Sequence, residues 1–357
     1  MTDSVEPVSS AQPPRRRRED SRLGSRPAQV ALLAFIAVLL VVFIWLLLRW
    51  AREPAPHAVE GAGLESVLIV KGPGEGDLPG FDRPLAAAYG PANDIYVSDT
   101  GHGRICVFSE KGRFRREFGR TVTDTPVAQR KDNLSQPAGL DVTKDGTVFV
   151  ADLRRGAIMV YSPRGRLIRS FHPPTNKKRA SAWSPTDVAV SGDTVAVTDA
   201  AGVKLFSVDG QLKASITKVK PGSDFMRPNG VVFAADGTLV VSDTNNARVV
   251  ALDPDGTVLW VFDAAKAGSA VLGLPRGICI MSDGSAMVAD AFRFSLVRIS
   301  ADGELIRSYG SRGTMPAAFE FPNDVDVIRD LALVADKENA RIQVVRLMDP
   351  NEPAAAK

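Results

Sequence analysis

Six aspartates recur along the chain at nearly constant spacing. They are Asp99, Asp152, Asp199, Asp243, Asp290 and Asp336, separated by 53, 47, 44, 47 and 46 residues. Paired carboxylates can run acid–base chemistry, but a catalytic pair is a single pair, and these occur once per repeat. An aspartate after a strand commonly accepts hydrogen bonds from nearby backbone amides. Asp99, Asp243 and Asp336 also stand five residues before Arg104, Arg248 and Arg341, a spacing that permits ion pairs. The expectation is an architectural acid in every repeat. Each acid follows a proline by 14 or 15 residues: Pro84, Pro137, Pro185, Pro228, Pro275 and Pro322. The residues directly after those prolines are Leu85, Ala138, Thr186, Asn229, Arg276 and Asn323, with Asp187 and Asp324 adjacent. Asn229, Asn323, Asp187 and Asp324 offer oxygen atoms to a small polar ligand or to Ca²⁺, and Arg276 offers a fixed cation. Lys177, Lys178, Arg179 and Trp183 form a basic loop with one aromatic, a candidate surface for a binding partner.

Other reactive types are scarce. The chain has three histidines and two cysteines. His57 precedes the repeats, which leaves His102 and His172, one short of the three protein ligands of a catalytic zinc site. No metal ligands and no catalytic residues are assigned. Cys106 and Cys279 fall in strands and read as buried thiols. Asn133-Leu134-Ser135 fits a glycosylation acceptor.

The segments between these residues supply the scaffold. Each unit reads as four strands, a to d; in the second they are 139–143, 147–151, 157–162 and 167–171. Val, Ile, Phe and Tyr dominate short apolar runs, the signature of strands rather than helices. Asp-Gly pairs (Asp145-Gly146, Asp209-Gly210, Asp236-Gly237, Asp255-Gly256, Asp283-Gly284 and Asp302-Gly303) mark tight hairpins whose two central residues are expected at positive φ. A four-stranded unit of this length is a propeller blade. The sixth unit lacks a fourth strand, and Glu65–Val70 has no unit of its own. This amino-terminal strand is expected to complete the sixth blade and close the ring, which removes the exposed edges. The a–b and c–d turns then share one face. The b–c and the longer d–a connections share the other, the face favoured for binding.

The repeats resemble the NHL repeat over residues 64–348, best in Arg-Pro-Asn-Gly-Val-Val (227–232) through Val-Ser-Asp-Thr-Asn-Asn-Ala-Arg-Val (241–249), and in Val-Ser-Asp-Thr-Gly-His-Gly-Arg-Ile (97–105). The resemblance implies an all-β, six-bladed β-propeller of the NHL or TolB-like kind. Units two, three and five depart from it, with Ala157, Lys204 and Ser295 at the arginine position. The family includes peptide-amidating lyases with several metal-bound histidines, a set absent here. Pro228-Asn229-Gly230 is similar to a stretch of gluconolactonase and paraoxonase propellers. Their metal site implies a glutamate near the start of the first strand a, where this chain has Leu85-Ala86-Ala87.

Ahead of the repeats, residues 1–29 are polar, with six Arg and four acids, and read as a disordered basic tail. Residues 30–50 read as a transmembrane helix: Val30 to Leu48 is an uninterrupted apolar run, with Trp45 and Trp50 near its end where interfacial aromatics belong. The arginine block places the amino terminus in the cytoplasm and the propeller outside. Residues 51–63 are a tether and 349–357 a disordered tail. The formal charge of +3, from 44 Lys+Arg against 41 Asp+Glu, lies mostly in the amino-terminal tail, which excludes nucleic acid as an expected partner. The resulting expectation is a single-pass, extracytoplasmic propeller that binds a protein, peptide or glycan, with no cofactor. The alternative is a metal-dependent hydrolase or lactonase with Ca²⁺ at the channel mouth.

Overall fold

The computed structural model describes residues 26–52, 63–74, 79–120, 133–174, 183–219, 224–263 and 271–348. The chain divides into two units, Met1–His57 and Ala58–Lys357. In the first, a helix, α1, runs Arg26–Arg52. Its side chains are described over residues 30–45 and are exposed. That stretch spans roughly 24 Å at 1.5 Å per residue, and no helix among the described residues is long and apolar enough to cross a membrane.

The second unit is six four-stranded antiparallel sheets. Blade one is Pro84–Tyr89, Ile95–Asp99, Arg104–Phe108 and Phe114–Phe118; blade two is Pro137–Val142, Val148–Asp152, Ala157–Tyr161 and Leu167–Phe171. Blade three is Asp187–Ser191, Thr194–Asp199, Gly202–Ser207 and Leu212–Ile216; blade four is Gly230–Phe233, Leu239–Asp243, Arg248–Leu252 and Val258–Asp263. Blade five is Pro275–Ile280, Ala286–Asp290, Ser295–Ile299 and Leu305–Tyr309. Blade six is Pro322–Ile328, Leu331–Asp336 and Arg341–Leu347, completed by Leu64–Val70. Leu64 pairs with Leu347 and Val70 with Ile342, so the amino-terminal strand closes the ring as the unpaired sixth unit required.

Strands b and c are buried along most of their length, and their Val, Ile, Ala and Phe side chains pack between neighbouring blades. Strands d alternate buried and exposed residues, as in Leu167–Phe171, because only one side faces the core. The Asp-Gly hairpins differ from expectation. Only the glycines take positive φ, for example Gly146 at 83° and Gly237 at 93°. In each, the glycine N–H bonds back three residues (Gly237 to the Ala234 carbonyl) while Thr238 O accepts from Ala234 N. The Asp at the preceding position does not take positive φ, and in several turns its carboxylate takes the amide two residues on, as Asp236 does from Thr238. This is a longer turn ending in a left-handed glycine rather than a two-residue loop.

Candidate functional site

All six repeated aspartates are buried at the end of strand b. Asp99 accepts from the Asp82 amide at 2.8 Å, His102 Nδ1 lies at 3.0 Å and Arg104 Nε at 2.7 Å. Asp243 accepts from the Met226 amide, Asn246 Nδ2 and Arg248 Nε; Asp336 accepts from the Glu320 amide, Asn339 Nδ2, Arg341 Nε and Gln343 Nε2. Asp199 takes Trp183 Nε1, the Ala201 amide and Lys204 Nζ. Asp152 and Asp290 are held largely by backbone amides. Each acid thus ties the connection before its blade to the connection after strand b. They are saturated struts, and the expected Asp–Arg ion pairs form in blades one, four and six.

The post-proline residues are different. Proline has no N–H for the ladder, and in four blades the register shifts just after it, between Pro84 and Ala86, Pro137 and Leu140, Pro275 and Ile278, and Pro322 and Asp324. Such a bulge re-aims the following side chains. Leu85, Ala138, Thr186, Asn229, Arg276 and Asn323, together with Asp187 and Asp324, line one cavity of about 70 Å³ at the axis of the ring. The candidate ligand-binding residues therefore do converge. Asn323 Nδ2 donates to the Leu85 carbonyl at 2.6 Å. Its buried Oδ1, and the buried Nε of Arg276, have no hydrogen-bond partner among the described residues.

Asp187 and Asp324 each bridge three blades. Asp187 Oδ2 accepts from the Val231 amide of blade four at 3.0 Å, and Asp324 Oδ2 from the Ala87 amide of blade one at 3.1 Å. On the other side each lies against a glycine of the preceding blade. A Cβ on Gly139 would come within 1.9 Å of Asp187 Oδ1, and one on Gly277 equally close to Asp324 Oδ1. Only glycine leaves room for the carboxylate. Deeper in the channel, Asp141 accepts from the Val190 amide and Asp326 from the Tyr89 amide.

These four carboxylates are half-buried, since the channel reaches them, yet protein surrounds them. Burial pushes Asp187 up to about 7 and Asp141 up to about 6, against the pull of the amides they accept from and with the help of neighbouring acid charge. Asp324 and Asp326 move up for the same first reason. Burial lowers the Arg276 guanidinium from its usual range, and Asp324 opposes that shift. Both cysteines are buried free thiols, held protonated by burial.

The remaining predicted residues fall apart from this cluster. Lys177, Lys178 and Arg179 lie outside the described residues. Trp183 is tied to blade three: its indole N–H donates to Asp199 at 2.7 Å and its ring packs on Phe206 at 5.8 Å. His172 is exposed, with Nδ1 at 2.8 Å from the Pro173 carbonyl. Asn133 is only 4% exposed, so the glycosylation motif is not presented to an enzyme. No group of three His, Cys, Asp or Glu side chains among the described residues could hold a metal ion. Sequence reasoning missed Asp141 and Asp326. It also missed the signal that would have found the channel staples: Pro-X-Gly in blades two and five faces Pro-X-Asp in blades three and six.

The six recurring four-stranded units together define a six-bladed β-propeller. The NHL repeat model matches residues 81–108 and 225–252. The chain is 25% identical over 197 residues to the E3 ubiquitin-protein ligase TRIM32 of Homo sapiens, covering 53% of this chain and 29% of the relative. It is 29% identical over 93 residues to Protein brain tumor of Drosophila melanogaster, covering 26% and 8%. The aligned parts span less than a third of either relative's length. Among solved structures, virginiamycin B lyase from Staphylococcus aureus superposes with a TM-score of 0.54 at 14% identity, over 76% of this chain and 83% of the lyase. A protein from Bacteroides thetaiotaomicron superposes with a TM-score of 0.60 at 16% identity, over 79% and 75%. At such identities the likeness establishes the fold alone.

Proposed function

We propose that this chain is a binding module that holds a protein, peptide or glycan on the face carrying the b–c and d–a connections. In this reading the apolar run from Val30 to Leu48 anchors it in a membrane, with the propeller on the extracytoplasmic side. The observation that carries the binding role is the contrast in unspent polarity: the repeated acids are saturated, whereas Arg276 Nε and Asn323 Oδ1 at the channel mouth are not. The anchor rests on the apolar run from Val30 to Leu48 and on the arginine block before it.

The hydrolase alternative is favoured by the convergence of Asn229, Asn323, Asp187 and Asp324 on one cavity. Against it stands Arg276, a guanidinium in the same small cavity, which places positive charge where Ca²⁺ would sit. Both Asp also spend one oxygen on an amide. Metal analysis of the purified chain separates the readings: stoichiometric Ca²⁺ lost on Asn229→Ala and Asn323→Ala would support the hydrolase reading.

The binding role is tested by a photo-crosslinking residue in intact cells. Placed at Met226, which is 53% exposed in a d–a connection, it is expected to give adducts of discrete mass. At Ile168 on an outer strand it is expected to give none, and the reverse pattern would reject the binding face. Protease accessibility of a carboxyl-terminal tag on intact cells tests the topology; protection of the tag would overturn the extracytoplasmic placement.

A further inference from the structure

Blade five departs from blades one, four and six at its b–c turn. Blades one, four and six follow the buried acid with a capping side chain and an arginine: His102 and Arg104, Asn246 and Arg248, Asn339 and Arg341. Blade five reads Asp290-Ala291-Phe292-Arg293-Phe294-Ser295. Asp290 is satisfied instead by the amides of Gly273, Leu274, Phe292 and Arg293. The arginine position becomes a serine. Arg293, in the capping position, keeps a buried Nε with no hydrogen-bond partner among the described residues.

The aromatics gained there are held against local preference. Phe294 has φ 56°, at a position where blades one, two, four and six use Gly103, Gly156, Ala247 and Ala340, all at positive φ. Phe321, just before Pro322, has φ 61°, a conformation that Arg83 and Arg227 also take before their prolines, so here the fold sets the backbone and only the side chain is special. A bulky residue in left-handed backbone is an outlier, and outliers of this kind gather at functional sites. The core does not demand Phe294, since its counterparts are glycine or alanine. Phe292 is 58% exposed, and its ring meets that of Phe321 edge to face at 5.8 Å. Arg276 lies over Phe321 at 5.9 Å, Lys337 over Phe321 at 4.5 Å, and Arg312 over Phe294 at 4.8 Å. Met315, 71% exposed, lies in the connection that leads to Phe321.

We propose that this sector, the long-connection face of blades five and six, docks an acidic peptide segment that carries apolar side chains. The proposal rests on the binding-module reading and narrows it to one sector and one partner class. Carboxylates meet the guanidinium groups of Arg276 and Arg293, and apolar side chains cover Phe292, Phe321 and Met315. Arg312 and Lys337 are already held by Glu320 and Glu338. These acids interrupt the positive surface. A polyphosphate or polysulfate chain asks for a continuous basic track, whereas a peptide of mixed character fits an alternation of cation, ring and acid.

The test uses the full chain and fluorescence anisotropy of a short labelled peptide alternating Glu and Phe. Controls replace Glu by Gln or Phe by Ser. Heparin and phosphatidylserine vesicles are titrated in parallel. The Glu–Phe peptide is expected to bind about tenfold or more tightly than either control. Phe292→Ser and Arg293→Gln, with unchanged unfolding midpoints, should each weaken it by a similar factor. Equal binding of the controls, or variants that bind like the parent, would overturn the proposal, as would heparin or vesicles binding more tightly than the peptide in an Arg293-dependent way. If Met226 crosslinks persist unchanged in Phe292→Ser, the binding module stands and this sector assignment falls. If the parent chain gives no crosslinks, the broader reading falls.

Discussion

Blades four and five are neighbours with closely matched strands, and they satisfy the same buried acid in opposite ways. In blade four, Arg248 neutralises Asp243 and Asn246 caps it. In blade five, four backbone amides hold Asp290, and no ion pair to it forms among the described residues. The architecture is the same, but the second solution frees the capping and arginine positions, which become Arg293 and Ser295, in a turn that also carries Phe292 and Phe294. Positions where the copies agree build the ring. A position where one copy departs, while its acid stays satisfied, is available for recognition.

The largest expected effect follows from breaking a buried ion pair. Asp243→Ala removes the carboxylate paired with the buried Arg248 guanidinium and should cost about 3–5 kcal/mol. Asp290→Asn strands no cation and should cost about 1–3 kcal/mol. Urea denaturation measures both, and equal costs would break the comparison.

Next come the channel acids, which have no cation at hydrogen-bond distance among the described residues. Asp187 sits at about 7 in the folded ring, against roughly 3.9 in an unfolded chain. The folded state therefore keeps a proton that the unfolded state has released. Stability should fall as pH rises from about 4 to about 7 and then level off. Asp187→Asn should flatten that slope and raise stability at pH 8, on the order of 2 kcal/mol. Unfolding midpoints at pH 5 and pH 8 decide the matter; a slope like that of the parent would remove Asp187 as its source.

A smaller effect, of opposite sign, is expected in blade five. Phe294→Gly relieves left-handed strain and should stabilise the fold by about 0.5–1 kcal/mol, while weakening the Glu–Phe peptide. Gain of stability without loss of binding would make Phe294 incidental. The smallest effect belongs to the exposed pair of Glu65 and Arg346 at 2.8 Å. Glu65→Gln should change stability by less than about 0.5 kcal/mol, because the sheet rather than the ion pair holds the closing strand.

Much of this was legible in the sequence. The Pro-to-Asp interval revealed six blades, the orphan strand at 65–70 revealed the closure, and the post-proline residues do meet at the axis. Strand periodicity and proline chemistry are local, so they survive translation into structure. The unread parts depend on which blades adjoin. Asp141 and Asp326 look like ordinary alternating polar residues until strand a is wound around an axis. The Gly139–Asp187 and Gly277–Asp324 contacts cross a seam between copies some 47 residues apart. In unit five, the loss of arginine at Ser295 was visible, but the phenylalanines gained beside it had no counterpart to be measured against.

The closing strand sets an order of events during biosynthesis. Glu65 and Arg346 are 281 positions apart in sequence and side by side in the ring. The first strand of the propeller to leave the ribosome is the last to find its partner. Until residue 347 emerges, Leu64–Val70 carries an unpaired edge, the kind of surface that recruits other chains. The entropy of joining ends this distant is roughly 5 kcal/mol by the logarithmic loop law, and it is met only when the last strand docks. A premature stop anywhere in Arg341–Leu347 is therefore a lesion at both ends of the ring, freeing a strand made hundreds of codons earlier.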